Sequence, residues 1–151
     1  MRGFLIDSNV LVYAYDPSDS VKQGRAAEII DTLIEQRRAI LSSQCLSEFF
    51  NSVRLRIAQP LSNAVALSQV EILARSCRVL EITRNTVLDA CRGSVQHKMS
   101  IWDALIWSVA RLNEVSWILT EDGQHNQLIE GVRYLNPFRP DFEMSLLEAG
   151  A

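Results

Sequence analysis

Four acidic residues are placed where their carboxylates could share one chemical task. They are Asp7, Glu48, Asp103 and Asp122. Asp7 directly follows an apolar run that is typical of a strand buried on both faces of a parallel sheet, and the other three acids lie in comparable places. Sites in open α/β sheets lie outside the carboxyl ends of the strands. We therefore expect the four carboxylates to meet at one edge of a sheet.

Converging carboxylates repel one another unless a cation lies between them. Mg²⁺ prefers oxygen ligands, keeps several of its waters and uses few carboxylates. The only histidines are His97 and His125, too few for a typical zinc site. Oxygen-only ligation indicates Mg²⁺ or Mn²⁺. The chemistry that suits such an ion is hydrolysis of a phosphodiester bond by a water of lowered pKa.

Each acid also has a plainer interpretation. Asp7 suits a turn or a helix cap, and a glutamate within a helix, such as Glu48, faces solvent by default. Asp122 precedes Gly123 and suits a turn in which the glycine takes a positive φ. Glu121 and Asp122 should point in different directions, and their order along the chain leaves open which one points inward. The functional prediction therefore depends on the four acids together.

Asp103 has the most specific alternative interpretation. With Ser100 it matches the capping box, in which an acid three residues after the cap reaches back to the amide of the cap. The helix that follows is apolar on nearly every side, which predicts a buried helix. A buried carboxylate is costly unless it is paired or bound to a metal. One oxygen could cap the helix while the other binds a metal, so the two interpretations are compatible.

Strands and helices alternate along the chain, which predicts a parallel sheet with helices on both faces. The predicted strands are residues 4–6, 39–42, 78–82, 115–120 and 132–135. The predicted helices are residues 10–15, about 21–37, from Ser43 to Pro60, from Ser62 to the third strand, about 85–96, and 101–113.

The length and composition favour one soluble domain. The chain has 151 residues and a net charge of −3, which argues mildly against coating of duplex DNA without excluding a nucleic-acid substrate. We expect neither a signal peptide nor a membrane-spanning segment. The three cysteines, Cys45, Cys77 and Cys91, are predicted to be buried thiols, and they indicate a reducing, cytoplasmic compartment.

Four segments around the acids together resemble PIN-domain proteins, specifically the VapC-type ribonuclease toxins of bacterial toxin–antitoxin pairs. The segments are Ile6-Asp7-Ser8-Asn9, Ser47-Glu48-Phe49-Phe50-Asn51, Ser100-Ile101-Trp102-Asp103-Ala104-Leu105-Ile106 and Leu119-Thr120-Glu121-Asp122. Asn136-Pro137-Phe138 is also similar to family members. Each motif alone is weak, but four motifs in this order and spacing over residues 3–138 are specific.

The resemblance implies a single α/β/α sandwich with a five-stranded parallel sheet. We assign residues 1–138 to this PIN-like nuclease domain, and residues 139–151 to a peripheral tail because they show little pattern. The resemblance further implies a Mg²⁺-dependent endoribonuclease that acts on single-stranded or looped RNA. Asp7 and Asp103 would be the principal metal ligands.

The remaining site residues take their roles from the same resemblance. Glu48 would be a further ligand or would orient the water. Asp122 would complete the acidic pocket, which makes it, rather than Glu121, the acid that faces inward. Asn9 and Thr120 would support the carboxylates by hydrogen bonds.

The resemblance also implies partners. Family toxins dimerise and are held inactive by a cognate antitoxin whose tail blocks the pocket, so we expect a homodimer and an antitoxin. An arginine on that tail would pair with the carboxylates in a fork geometry. Arg84, Arg92 and Lys98 are candidate contacts for the RNA.

Two other functions compete with the ribonuclease. A receiver-type signalling domain also carries acids at a sheet edge, but it needs a lysine late in the sheet, and Lys22 and Lys98 are the only lysines. A catalytically silent PIN-like binding module is the stronger alternative. The complete set of four acids argues against it without proving turnover.

Overall fold

A sheet of six strands forms the centre of the fold in the computed structural model, which describes residues 2–148. The strands are β1 (Phe4–Ile6), β2 (Ala39–Ser42), β3 (Arg78–Leu80), β4 (Trp117–Leu119), β5 (Leu128–Ile129) and β6 (Val132–Leu135). Their order across the sheet is β3-β2-β1-β4-β6-β5. Every neighbouring pair is parallel except β5 and β6. The predicted α/β class is confirmed, but the predicted count of five strands is wrong.

The strand that the sequence pattern missed is β5, which has only two residues. Leu128 is exposed and Ile129 is buried, and two residues are too few to give a periodic signal. A two-residue turn joins β5 to β6, and its residues Glu130 and Gly131 have φ values of 45° and 85°. Positive φ at both positions is typical of tight hairpin turns.

Seven helices accompany the sheet in the described residues. They are α1 (Ser8–Tyr13), α2 (Ser20–Glu35), α3 (Ser43–Leu55), α4 (Asn63–Ser76), α5 (Arg84–His97), α6 (Ile101–Leu112) and α7 (Ser145–Glu148). Ser62 and Thr83 cap α4 and α5. The cap of α3 is Ser42, and that helix begins at Ser43 as predicted but ends well before Pro60. Within residues 2–148, no helix combines the length and apolar character needed to cross a membrane.

Side chains alternate between the two faces of the sheet, as strand geometry requires. Phe4 and Ile6 of β1 belong to a core shared with α1 to α4 and α7, whereas Leu5 points to the opposite core beneath α6. Helix α5 packs mainly on α6. The helices therefore lie on both faces of the sheet, as in the predicted sandwich.

Helices α5 and α6 approach closely at Gly93. A Cβ atom at this position would lie 2.2 Å from the ring of Trp107 on α6, so only glycine fits without movement. Trp107 is fully buried, and its indole N–H donates to the carbonyl oxygen of Ile129 at 3.1 Å. This contact ties the helix pair to the β5–β6 hairpin.

Asp89 on α5 is the centre of an ion-pair network. Its carboxylate accepts bonds from Arg111 at 2.6 Å, from Ser108 at 2.8 Å and from Arg92 at 2.9 Å. Burial acts to raise the pKa of Asp89, but these three donors outweigh burial and hold the pKa below its usual value. Arg92 also pairs with Glu130 in the β5–β6 turn at 3.1 Å. The network therefore reinforces the contact made by Trp107.

The tail differs from the peripheral segment that we expected. Residues 139–148 include α7, and they bury Phe142 and Leu147 in the core shared with α1 to α4. The Arg38 side chain also donates to the carbonyl oxygen of Leu147. The segment is too short for its apolar residues to give a reliable periodic pattern, which explains why the packing was missed. Residues 149–151 lie outside the described part of the chain.

All three cysteines carry free thiols. Cys45 and Cys77 are buried as predicted, and burial raises the pKa of Cys45 to about 12 and that of Cys77 to about 11. Cys91 is exposed, so its predicted burial is wrong. It lies on α5 near the exposed Leu88 and Val95, on a surface that no described element covers.

Candidate active site

Asp7 lies at the carboxyl end of β1 and is 6% exposed. It caps α1, because its Oδ1 accepts the backbone N–H of Ser8 at 2.7 Å. Its Oδ2 accepts the hydroxyl of Thr120 at 2.8 Å. Thr120 follows β4, and the parallel pairing of β1 with β4 brings the two strand ends together. The cap and the sheet topology thus hold both oxygens of this carboxylate.

The surroundings of Asp7 disfavour its charged form. Burial raises the pKa of this carboxyl from 3.8 to about 6. The bonds from Thr120 and Ser8 act in the opposite direction, while the negative charges of Glu48 and Asp122 raise the pKa further. A cation bound beside Asp7 would remove this cost.

Glu48 reaches the same place from α3. Its Oε2 accepts the hydroxyl of Ser8 at 3.0 Å, and its Oε1 accepts the side-chain amide of Gln44 at 2.5 Å. The Ser8 hydroxyl is also 3.5 Å from Asp7, so Ser8 links the two carboxylates. No role was predicted for Ser8 or Gln44 from the sequence. The spacing of Gln44 and Glu48, which is one helical turn, was the available signal.

Asp122 is held by the two residues expected to support the site. The Asn9 side-chain amide donates to Asp122 Oδ2 at 3.2 Å and to Thr120 Oγ1 at 3.1 Å. The backbone N–H of Asp122 donates to the same Thr120 oxygen at 3.0 Å. Asn9 and Thr120 therefore join the loop after β4 to the start of α1.

The structure distinguishes Glu121 from Asp122. Glu121 turns away to pair with Lys22 at 2.6 Å and to accept the Tyr13 hydroxyl at 2.9 Å. Lys22 lies on α2, 99 positions away along the chain, so no local pattern could reveal the pair. Asp122 is the acid of this pair that points toward Asp7.

Asp103 lies in the first turn of α6 and is exposed, so the predicted burial of this carboxylate is wrong. Burial of α6 is continuous only from Ala104 onward, and the neighbouring Trp102 is 66% exposed. Ser100 does cap the helix, because its hydroxyl accepts the N–H of Asp103 at 3.1 Å. The Asp103 carboxylate makes no hydrogen bond or ion pair with any residue in 2–148, so its oxygens are available to a ligand.

Two concave surfaces meet at the aspartates. The first, the Tyr134 cavity, has a volume of about 290 Å³ and lies between Tyr134 and the start of α6. The second, the Trp102 cleft, has a volume of about 360 Å³ and extends past Trp102 toward Glu48. Asp7, Asp103 and Asp122 line both surfaces, whereas Glu48 lines only the cleft. The structure thus brings the four predicted acids to one sheet edge.

No cation of residues 2–148 forms an ion pair with any of these four acids. Their described partners are neutral hydroxyl, thiol, amide and backbone groups. In the same residues, no three His, Cys, Asp or Glu side chains lie close enough together to surround a metal ion. The oxygen donors and the unbalanced charge fit a hard divalent cation. Such a cation would take few protein ligands and keep several waters, which is the habit of Mg²⁺.

Cationic side chains lie on each side of the acids. Lys98 lines the Tyr134 cavity and Arg56 lines the Trp102 cleft, and neither forms an ion pair within residues 2–148. Of the predicted RNA contacts, Lys98 is therefore near the site, Arg92 is engaged by Asp89, and Arg84 lines neither surface. Arg56 was not among the predicted RNA contacts, because its position depends on where α3 ends.

The sequence profile of the PIN domain matches residues 4–130. The chain belongs to the PIN domain family. Comparison with curated protein sequences gave no match.

Three solved structures illustrate the similarity. A toxin–antitoxin complex from Klebsiella pneumoniae is 14% identical with a TM-score of 0.67, over 90% of this chain and 98% of that chain. VapC20 from Mycobacterium tuberculosis, a toxin that cleaves the sarcin-ricin loop, is 18% identical with a TM-score of 0.61. The match covers 77% of this chain and 87% of that chain. FitAcB from Neisseria gonorrhoeae is 19% identical with a TM-score of 0.62, over 89% and 98%. At these identities the similarity concerns the fold.

Proposed function

We propose that this PIN-domain protein is a metal-dependent endoribonuclease of the VapC type, the toxin of a toxin–antitoxin pair. It hydrolyses RNA phosphodiester bonds at the site formed by Asp7, Glu48, Asp103 and Asp122. The main support for this function is that three aspartates line the junction of two concave surfaces without a cationic partner in the described chain. The similarity to toxin structures supports it.

Asp7 and Asp103 would hold Mg²⁺, or Mn²⁺ in its place, with Glu48 and Asp122 acting as further or water-mediated ligands. The ion, when bound, polarises the phosphate, lowers the pKa of a water and stabilises the leaving oxygen. The chain's own contribution is orientation. Thr120 and the N–H of Ser8 fix the two oxygens of Asp7, and Ser8 also fixes Glu48.

RNA in a single-stranded or looped form suits the shape of the site. Two connected concavities accept an unpaired strand whose bases are splayed apart, which is how proteins read RNA most often. Arg56 and Lys98 lie on opposite sides of the acids and would contact phosphates there. VapC20, one of the structural relatives, cleaves the sarcin-ricin loop.

Two protein partners belong to the proposed function. An antitoxin tail would insert an arginine among the carboxylates, which lack such a partner in residues 2–148. A second copy of the chain would cover Leu88 and Val95, which are 63% and 84% exposed on α5. Light scattering would report the dimer, and Leu88→Glu should dissociate it. Wild-type protein that is monomeric at micromolar concentration would contradict this part.

The decisive experiment is cleavage of a mixed cellular RNA pool by purified protein free of antitoxin. Cleavage should require Mg²⁺ or Mn²⁺, stop in EDTA, and disappear in Asp7→Asn and Asp103→Asn. Circular dichroism would verify that both variants remain folded. Mapping the ends of the products would begin to identify the target.

A matched pair of variants in one loop sharpens this experiment. Asp122→Asn should reduce cleavage tenfold or more, because a tenfold change corresponds to the free energy of about one charged contact at the site. Glu121→Gln should leave cleavage unchanged, because Glu121 faces Lys22. Equal effects of the two variants would contradict the proposed site. Absence of cleavage in folded wild-type protein would favour the catalytically silent binding module.

A further inference from the structure

We propose that the Tyr134 cavity is a subsite that receives one unpaired nucleobase of the RNA, next to the phosphate held at the aspartates. This subsite rests on the proposed ribonuclease function and adds to it the place where the substrate sequence is read. The carboxylates act on a phosphate, which is the same at every nucleotide, so sequence preference has to come from a surface beside them.

The size of the Tyr134 cavity suits a single ring system. Its volume of about 290 Å³ is roughly twice that of an apolar cavity of about 150 Å³ that holds one benzene ring. It lies near the lower end of the range of about 300–1,000 Å³ that is usual for small-molecule sites.

The walls of the cavity have the character that base recognition requires. Ile106 and Ile129 supply apolar surface, and Tyr134 supplies an aromatic ring. The Tyr134 hydroxyl is turned toward the sulfur of Met99 at 3.9 Å. RNA-binding proteins hold unstacked bases against aromatic and apolar side chains of this kind.

One polar side chain that lines the cavity, Gln127, is available to contact the edge of a base. Gln127 lines the cavity, and its side-chain amide makes no hydrogen bond to any residue in 2–148. The backbone holds this residue in place, because its carbonyl oxygen accepts the N–H of Tyr134 at 3.0 Å. A glutamine amide offers two donors and one acceptor, so it can distinguish one base edge from another.

The position of the cavity connects base binding with cleavage. Asp7, Asp103 and Asp122 form part of its wall as well as part of the Trp102 cleft. A base in the cavity therefore brings its own phosphate to the acids, while the rest of the strand continues along the cleft. Lys98 lines the same cavity and would balance the charge of that phosphate.

Methionine labelling tests the subsite without depending on catalysis. The chain has three methionines. Met99 lines the cavity, whereas Met144 packs against the core on the other face of the sheet. The four ribonucleoside 5′-monophosphates would be titrated, with Mg²⁺ present, into protein labelled with ¹³C at the methionine methyl groups. At least one should shift the Met99 signal saturably at millimolar concentration and leave the Met144 signal unmoved.

Ribose 5-phosphate is the control for the phosphate, because it carries the same group without a base. It should leave the Met99 signal unmoved. Gln127→Ala should weaken binding of the preferred nucleotide about fivefold, which corresponds to one hydrogen bond. The matched variant Gln124→Ala should bind normally, because Gln124 lies in the same loop but outside both concave surfaces.

Three results would overturn the subsite. They are absence of any Met99 shift, an equal shift with ribose 5-phosphate, and equal binding by the two glutamine variants. Absence of any shift is also the result expected if an antitoxin side chain, rather than a base, occupies the cavity. Failure of the ribonuclease proposal would give a different result. A Met99 shift that depends on the base, together with absence of RNA cleavage, would support the subsite and contradict the ribonuclease function.

Discussion

Replacing Asp7 by asparagine should change how the stability of the protein depends on pH. Burial raises the pKa of Asp7 from 3.8 in the unfolded chain to about 6 in the folded protein. The folded state therefore holds the Asp7 proton more tightly than the unfolded state does. The resulting stability is fully present below about pH 3.8 and is lost as the pH rises through about 6.

The size of this loss follows from the shift. A difference of about 2 pKa units at about 1.4 kcal/mol each makes the loss about 3 kcal/mol, of which about 2 kcal/mol falls between pH 4.5 and pH 8. Asp7→Asn lacks the carboxyl, so its stability should not show this loss as the pH rises. Asparagine cannot accept both bonds that Asp7 accepts, because its amide nitrogen would face the donor Thr120. That mismatch costs about 1–2 kcal/mol at every pH.

Urea unfolding in EDTA between pH 4.5 and pH 8 would measure the effect. The difference in unfolding free energy between Asp7→Asn and wild type should move in favour of the variant by about 2 kcal/mol over this range. Asp31→Asn is the control, because Asp31 is exposed on α2 and lines neither concave surface. A difference that stays constant with pH, or the same change in Asp31→Asn, would refute the reasoning. Mg²⁺ at pH 8 should stabilise wild type more than the variant.

Three further substitutions test the packing and the ion pairs. Gly93→Ala should lower the free energy of unfolding by about 1–3 kcal/mol, because its Cβ would lie 2.2 Å from Trp107. If this variant were as stable as wild type, α5 and α6 would be able to move apart at little cost. Asp89→Asn should cost about 1–3 kcal/mol at neutral pH. Since the pKa of Asp89 is lowered in the fold, this cost should shrink as the pH falls into the acidic range, and melting temperatures at several pH values would reveal it. Lys22→Met should cost less than about 1 kcal/mol, because its pair with Glu121 is about one-third exposed. High salt should reduce that difference in chemical denaturation, and a difference independent of salt would contradict a surface ion pair.

Local signals explain why most of the fold was predictable. Buried strands such as β1 appear as apolar runs, and caps such as Ser62 and Thr83 precede helices at the expected spacing. The missed elements lack such signals. β5 has two residues, and α7 has four. Their positions depend on contacts with Trp107 and with the core rather than on their own pattern.

The features of the candidate site also divide into those that the sequence predicted and those that it did not. The gathering of Asp7 and Asp122 at one sheet edge was predictable, because parallel strands end on the same side. The exposure of Asp103 was not, because an apolar helix gives no sign of which turn lies at an open surface. The partner of Glu121 could not be predicted either, since Lys22 comes from a distant helix.

The order of the strands has a consequence for synthesis. β4 lies between β1 and β6, and the bond from Thr120 to Asp7 spans 113 positions. Ribosomes release the chain from its N-terminus, so β1 emerges long before its neighbour exists. Leu147 completes the core later still. A nascent or truncated chain that stops before Thr120 therefore carries Asp7 without the residue that orients it, and the acidic site can assemble only after Thr120 and Asp122 have been synthesised.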